Sequence, residues 1–128
     1  MSLSVQHLTK LYGQQKAVND ISFNVRAGEI VGFLGPNGAG KSTTMKIATT
    51  YLPPSAGKIK VEHWDVTEHP MKVKQIIGYL PEHNPLYLDM YVHEYLRFIG
   101  SLYGLRGTSL KKRAGEIVER CGLDQEQY

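Results

Sequence analysis

Residues 35–42 read Gly-Pro-Asn-Gly-Ala-Gly-Lys-Ser and satisfy the pattern G-x-x-x-x-G-K-[ST] at every constrained position. A short apolar run at 29–34 precedes the pattern, and a helix-compatible segment at 41–52 follows it. The pattern therefore sits where a strand hands over to a helix, the context its chemistry requires. Gly38 and Gly40 let the backbone curl until successive N–H groups point inward as an anion nest. A side chain there would crowd the approach or demand a positive φ. A helix opening at Gly40-Lys41 adds the partial positive charge of its N-terminus. The Lys41 ammonium is then placed for β- and γ-phosphates and the Ser42 hydroxyl for Mg²⁺. The plain alternative is a glycine-rich turn, which would match four constrained positions by chance in roughly one chain in a few hundred.

The rest of the chain is read around that unit. Residues 2–8 predict a short strand closed by the turn at Tyr12-Gly13. Val18, Ile21, Phe23 and Val25 predict a second strand ending at Ala27-Gly28. The run at 29–34 has the pattern of a strand buried on both faces. The helix at 41–52 must stop at Pro53-Pro54. Further short strands are expected at 57–62 and 76–80. Beyond Pro85 the period becomes helical: Val92, Tyr95, Leu96, Ile99, Leu102 and Tyr103 form one apolar stripe. Leu110, Ala114, Ile117, Val118 and Cys121 form a second, ended by Gly122. The order is strands first, a strand–loop–helix unit in the middle and two helices last, an α/β core with a helical appendage.

Composition narrows the setting. With 128 residues there is room for one compact domain. A hydrophobic share of 41% and a charged share of 21% exclude a disordered tail or a collagen-like rod. The net charge of +3 is too small an excess to argue for nucleic acid. It is uneven, with a balance of +4 over 1–64 and −1 over 65–128, so a bound anion belongs in the first half. The single cysteine, Cys121, cannot pair within the chain and fits a reducing compartment. The longest apolar stretch, 30–34, is far short of the roughly 20 residues of a membrane span, and residues 1–10 lack the layout of a signal peptide. The expectation is a cytoplasmic domain.

At 35–43 the residues read GPNGAGKST, and the whole segment resembles the start of an ABC transporter ATP-binding subunit. The likeness runs through Tyr12-Gly13, through 17–23 (Ala-Val-Asn-Asp-Ile-Ser-Phe), and through Gly28-Glu29-Ile30. It continues in Pro54-Ser55-Ala56-Gly57, in 77–82 (Ile-Gly-Tyr-Leu-Pro-Glu) and in Glu94-Tyr95-Leu96. It covers essentially the whole chain and is similar to a drug-exporter-like subgroup, gliding-motility ATP-binding proteins among them. The fold so implied is α/β: part of a P-loop NTPase core with N-terminal antiparallel strands over 1–87, and the start of an α-helical subdomain over 88–128. The resemblance implies that ATP and Mg²⁺ are bound. The nucleotide falls to Tyr12, Gly35, Asn37, Gly38, Ala39, Gly40, Lys41, Ser42 and Thr43, and the metal to Ser42 and Glu82. Tyr12 matches the aromatic that stacks on adenine, with Val18 packed nearby. The implied partners are a transmembrane permease subunit and a second ATP-binding subunit in a head-to-tail dimer. The implied place is the inner face of the cell membrane, without nucleic acid.

Two departures from that family matter. Where it usually carries a glutamine that touches Mg²⁺ and senses the membrane partner, this chain has Glu82. In addition, no L-S-G-G-Q-like signature, no four-residue apolar run ending in Asp-Glu and no later switch histidine is found in the 128 residues. Leu86-Tyr87-Leu88-Asp89 is the nearest imitation of the second motif, but Met90 follows it, so Asp89 reads as loop or as the cap of a helix beginning near Met90. The parent protein is then an ATP hydrolase coupled to export, while this chain binds nucleotide without a catalytic residue of its own. Alternatives are a stand-alone non-catalytic nucleotide-binding module, another P-loop NTPase, or an interaction protein that keeps the fold without nucleotide. The five histidines, His7, His63, His69, His83 and His93, have no metal-ligand spacing. Lys111-Lys112-Arg113 reads as the solvated face of an amphipathic helix, and Cys121 as core.

Overall fold

β1 (Leu3–Tyr12) and β2 (Gln15–Val25) form an antiparallel hairpin joined by the two residues Gly13-Gln14. Gly13 takes the φ of +60° that so tight a turn requires. The computed structural model describes residues 2–125. β3 (Ala56–Val61) pairs with the other edge of β1, and β4 (Trp64–Asp65) pairs with β3, giving the antiparallel order β2-β1-β3-β4. Both strands of the hairpin are longer than their alternation alone indicates.

The reason is a bulge. Val5 and Leu8 are both buried although they lie three residues apart, a spacing that puts side chains on opposite faces of a regular strand. The register shifts between them, and His7 and Asp20 each take φ of +49°. The distortion is held by His7 Nδ1 at 2.8 Å from Asp20 Oδ1, by the His7 N–H donating to Ser22 Oγ at 2.8 Å and by the Asp20 N–H donating to Thr9 Oγ1 at 3.1 Å. An extra residue in the strand thus re-aims Leu8 into the core.

Helix α1 (Lys41–Ala48) lays Thr44, Ile47 and Ala48 on this sheet. With Val5, Leu8, Val18, Ile59, Val66 and Val73 they make the core, and Leu3, Ile21, Phe23, Leu52, Trp64 and Ile77 pack on its rim. α1 is four residues shorter than expected, because Thr50 turns left-handed at φ +69°. The Tyr51 N–H then donates to the Lys46 carbonyl at 2.7 Å and ends the helix before Pro53 is reached. A seven-residue helix, α2 (Pro70–Ile76), was not expected. Its signal is Pro70 at the first helical position, where a missing N–H costs nothing.

The strands expected at 29–34 and 76–80 do not form. Residues 29–34 pair with no strand among the described residues, and Leu34 is 92% exposed. Residue 76 ends α2, and 77–80 pair with no strand among the described residues, with Leu80 at 80% exposure. A strand buried on both faces needs a neighbour at each edge for its N–H and C=O groups. The antiparallel sheet gives neither run such a neighbour. Phe33 alone turns inward, tilted against Phe23 at 5.3 Å between ring centroids.

The chain divides into two compact units, the first ending at Tyr79 and the second beginning at Leu80. The second holds α3 (Val92–Leu102) and α4 (Gly107–Arg120). The Glu94 carboxylate accepts from the Tyr91 N–H at 3.0 Å and starts α3 there, so Asp89 lies in the preceding turn and caps nothing. Gly100 gives α4 its close approach, since a Cβ at that point would overlap Leu110 Cδ1. On α4 Ala114 and Val118 are buried, but Cys121 is exposed and not part of a core. It lies at the helix C-cap, one residue beyond the last turn that faces inward.

Candidate functional site

The loop of residues 35–40 leaves the end of the apolar run and enters α1 with two left-handed glycines, Gly38 at φ +82° and Gly40 at φ +94°. The Ala39 N–H donates to the Pro36 carbonyl at 3.1 Å, which tightens the loop. α1 begins at Lys41 with Gly40 as its N-cap and no acidic residue in its first turn. The first N–H groups of a helix have no partner within it. Here no side-chain cap takes them, so they and the helix dipole point toward an anion at the loop.

The two glycines act differently. Space around a Cβ at Gly38 is open, and only the φ there requires glycine. At Gly40 a Cβ would overlap the Ala17 carbonyl oxygen and come within 3.0 Å of Val18 Cγ2. The close approach that Gly40 permits is therefore to the backbone of β2. Thr44, which the sequence pattern did not single out, ties the same corner: it is 1% exposed, and its Oγ1 donates to the Gly40 carbonyl at 2.8 Å. The third hydroxyl of a Ser-Thr-Thr run, one turn into the helix, is the sequence signal for it.

Lys41 closes the loop from inside. Its Nζ donates to the Gly35 carbonyl and, at 2.7 Å, to the Pro36 carbonyl. Those bonds orient the ammonium across the loop, and they show the distance it can span. Asn37, Gly38, Ala39 and Ser42 are exposed, and Thr43 is half-buried. Ser42 presents a hydroxyl oxygen, a donor suited to Mg²⁺, which binds few protein ligands and keeps its waters and substrate phosphates. Among the described residues no three His, Cys, Asp or Glu side chains gather to hold a metal. That donor set fits an ion that arrives with a nucleotide.

Tyr12 lies at the end of β1, 51% exposed, with Lys10 Nζ 5.5 Å from its ring centroid. It pairs with Gln15, two residues from the Ala17 on which Gly40 rests, so the hairpin end and the loop belong to one corner of the first unit. Val18 is buried in the core beneath. Glu82 is exposed and belongs to the second unit. No helix among the described residues is long and apolar enough to cross a membrane.

Comparison with known proteins gives a consistent result. The family described as ABC transporter matches residues 18–128. The linearmycin resistance ATP-binding protein LnrL of Bacillus subtilis is 41% identical over 96% of this chain and 40% of its own length. The probable multidrug ABC transporter ATP-binding protein YbhF of Escherichia coli is 39% identical over 94% of this chain and 21% of its own. A solved ATP-binding subunit of an ABC transporter superposes with a TM-score of 0.87 at 30% identity, covering 99% of this chain and 53% of that one. A dimeric ATP-binding cassette in a post-hydrolysis state with ADP and Pi has the same fold, with a TM-score of 0.85 at 22% identity. The chain thus spans between about a fifth and three fifths of the length of these proteins.

Proposed function

Because this chain belongs to the ABC transporter ATP-binding family, we propose that it forms the Mg-ATP-holding part of a subunit that energises export across a membrane. One observation carries the reading: Gly38 and Gly40 are left-handed, and a helix opens at Lys41 directly behind them. That conformation turns backbone N–H groups toward phosphate oxygens. Lys41 then leaves the Gly35 and Pro36 carbonyls for the phosphates, or bridges both, and Ser42 supplies one oxygen to the metal. With Ser42 as its protein oxygen, the metal would supply neutralisation of phosphate charge. Asn37 and Thr43 contribute backbone N–H groups along the loop, and Ala39, whose N–H is held by the Pro36 carbonyl, lines the phosphates by its place in it. Tyr12 offers a ring face to the adenine, whose stacking does not depend on hydrogen-bond readout.

The export assignment rests on the relatives named for linearmycin resistance and multidrug transport. It implies a transmembrane permease subunit, a second ATP-binding subunit facing the first, and a place at the cytoplasmic side of the membrane. We assign Glu82 to the coupling position, with its carboxylate as a ligand for the metal that accompanies ATP. Residues 1–87 serve as the nucleotide-binding core and 88–128 as the start of the helical subdomain.

Thermal unfolding tests the binding claim. A ligand that binds only the folded state stabilises it by about 2.7 kcal/mol at one hundred times its dissociation constant. Millimolar Mg-ATP is expected to raise the melting temperature by several degrees. An unchanged melting temperature contradicts the proposal.

A further inference from the structure

The Tyr12 ring is not held by the hairpin alone. Lys10 Nζ lies 5.5 Å from its centroid and donates a hydrogen bond to the Pro53 carbonyl at 2.8 Å. Pro53 belongs to the segment that follows α1, and that segment is itself tied to β1. The Ser55 N–H donates to the Thr9 carbonyl at 2.9 Å, and the Leu11 N–H donates to Ser55 Oγ at 2.9 Å. The ammonium is thus fixed between the exit of the phosphate-loop helix and the ring at the end of β1.

We propose that Lys10 is a positioning residue for base recognition, holding the Tyr12 ring by one face so that the other face receives the adenine. The inference rests on the reading of Tyr12 as the stacking residue. A half-exposed tyrosine at a hairpin end has two side-chain torsions to lose when a base stacks on it. A cation already against the ring, itself anchored to a backbone carbonyl, removes part of that loss before the ligand arrives. The positive charge behind the ring also draws on its π-electrons, which favours stacking of an electron-rich purine on the open face. Lys10 reaches the carbonyl through one of its three N–H donors, so the contact with the ring needs no further partner.

Titration of the full chain with Mg-ATP and with Mg-tripolyphosphate, which lacks the base, separates this role from a structural one. Lys10→Met is expected to weaken Mg-ATP about two- to five-fold, the range of an exposed cation–ring contact, and to leave tripolyphosphate unchanged. Lys10→Gln, which keeps a polar side chain without charge, should behave as Lys10→Met does, and Lys10→Arg should restore the wild-type ratio. In a Tyr12→Ala background Lys10→Met should have no further effect. Equal weakening of both ligands, or the same loss with and without Tyr12, overturns the inference. If Tyr12→Ala lowers the preference for ATP over tripolyphosphate while neither neutral Lys10 variant does, Lys10 has no positioning role and the stacking reading stands. If Tyr12→Ala leaves that preference untouched, the stacking reading falls and this inference with it.

Discussion

Gly38 and Gly40 serve the same loop and are unequal in the structure. Both have positive φ, but only Gly40 abuts another strand's backbone. Gly38→Ala is expected to cost about 1–2 kcal/mol, the penalty of the left-handed region for a residue with a Cβ. Gly40→Ala adds overlap with the Ala17 carbonyl oxygen, and a further loss of about 1–3 kcal/mol follows from forcing the strand and helix apart. Urea midpoints of the two variants, converted with a common slope, give the comparison. Equal midpoints would show that the close approach has no energetic weight. The loop glycines and Lys41 were legible in the sequence because the anion nest leaves few residue types able to occupy it. Thr44 and Lys10 were not legible, since each acts through a partner distant in sequence or through a backbone group that no residue pattern records.

Helix ends show how element boundaries are set. α3 and α4 finish alike: Gly104 and Gly122 turn left-handed, and the next N–H reaches back to the Gly100 and Val118 carbonyls. α1 finishes with the same pair of bonds, but the left-handed residue is Thr50, a β-branched side chain whose Oγ1 is buried without a hydrogen-bond partner. Thr50→Gly removes both penalties at the cost of added freedom in the unfolded chain. A gain of about 1 kcal/mol is expected from those opposing terms. Thr50→Ala keeps the unfavourable φ and should gain less. A chemical denaturation series over the three proteins checks the order, and a less stable Thr50→Gly would contradict it. The glycine-ended helices were placed nearly correctly from sequence. α1 was drawn too long because nothing in Thr49-Thr50 announces a stop. The opposite fault applies to 29–34 and 76–80, whose apolar character predicts burial that local pattern cannot supply.

At the scale of the whole molecule, this chain spans only part of the length of its relatives, and the runs at 29–34 and 77–80 pair with no strand among the described residues. Hydrolysis needs a positioned water and stabilised charge on the transferring phosphoryl group, and positioning supplies most of the rate. In the proposed reading Lys41, Ser42 and the loop N–H groups hold phosphates, and the sequence offers no catalytic residue to orient the water. Phosphate release by this chain is therefore expected at background, and a turnover of about 1 per second or more, in the ordinary enzyme range, would contradict that division of labour. The central claim is that one corner of the first unit, built from 35–43, binds the phosphates of Mg-ATP. Calorimetric titration of Mg-ATP into the wild-type chain and into Lys41→Ala tests it most directly. Saturable binding of one nucleotide per chain is expected for the wild type, and Lys41→Ala is expected to abolish it. Equal binding by the two proteins, or none by the wild type at millimolar Mg-ATP, would contradict it.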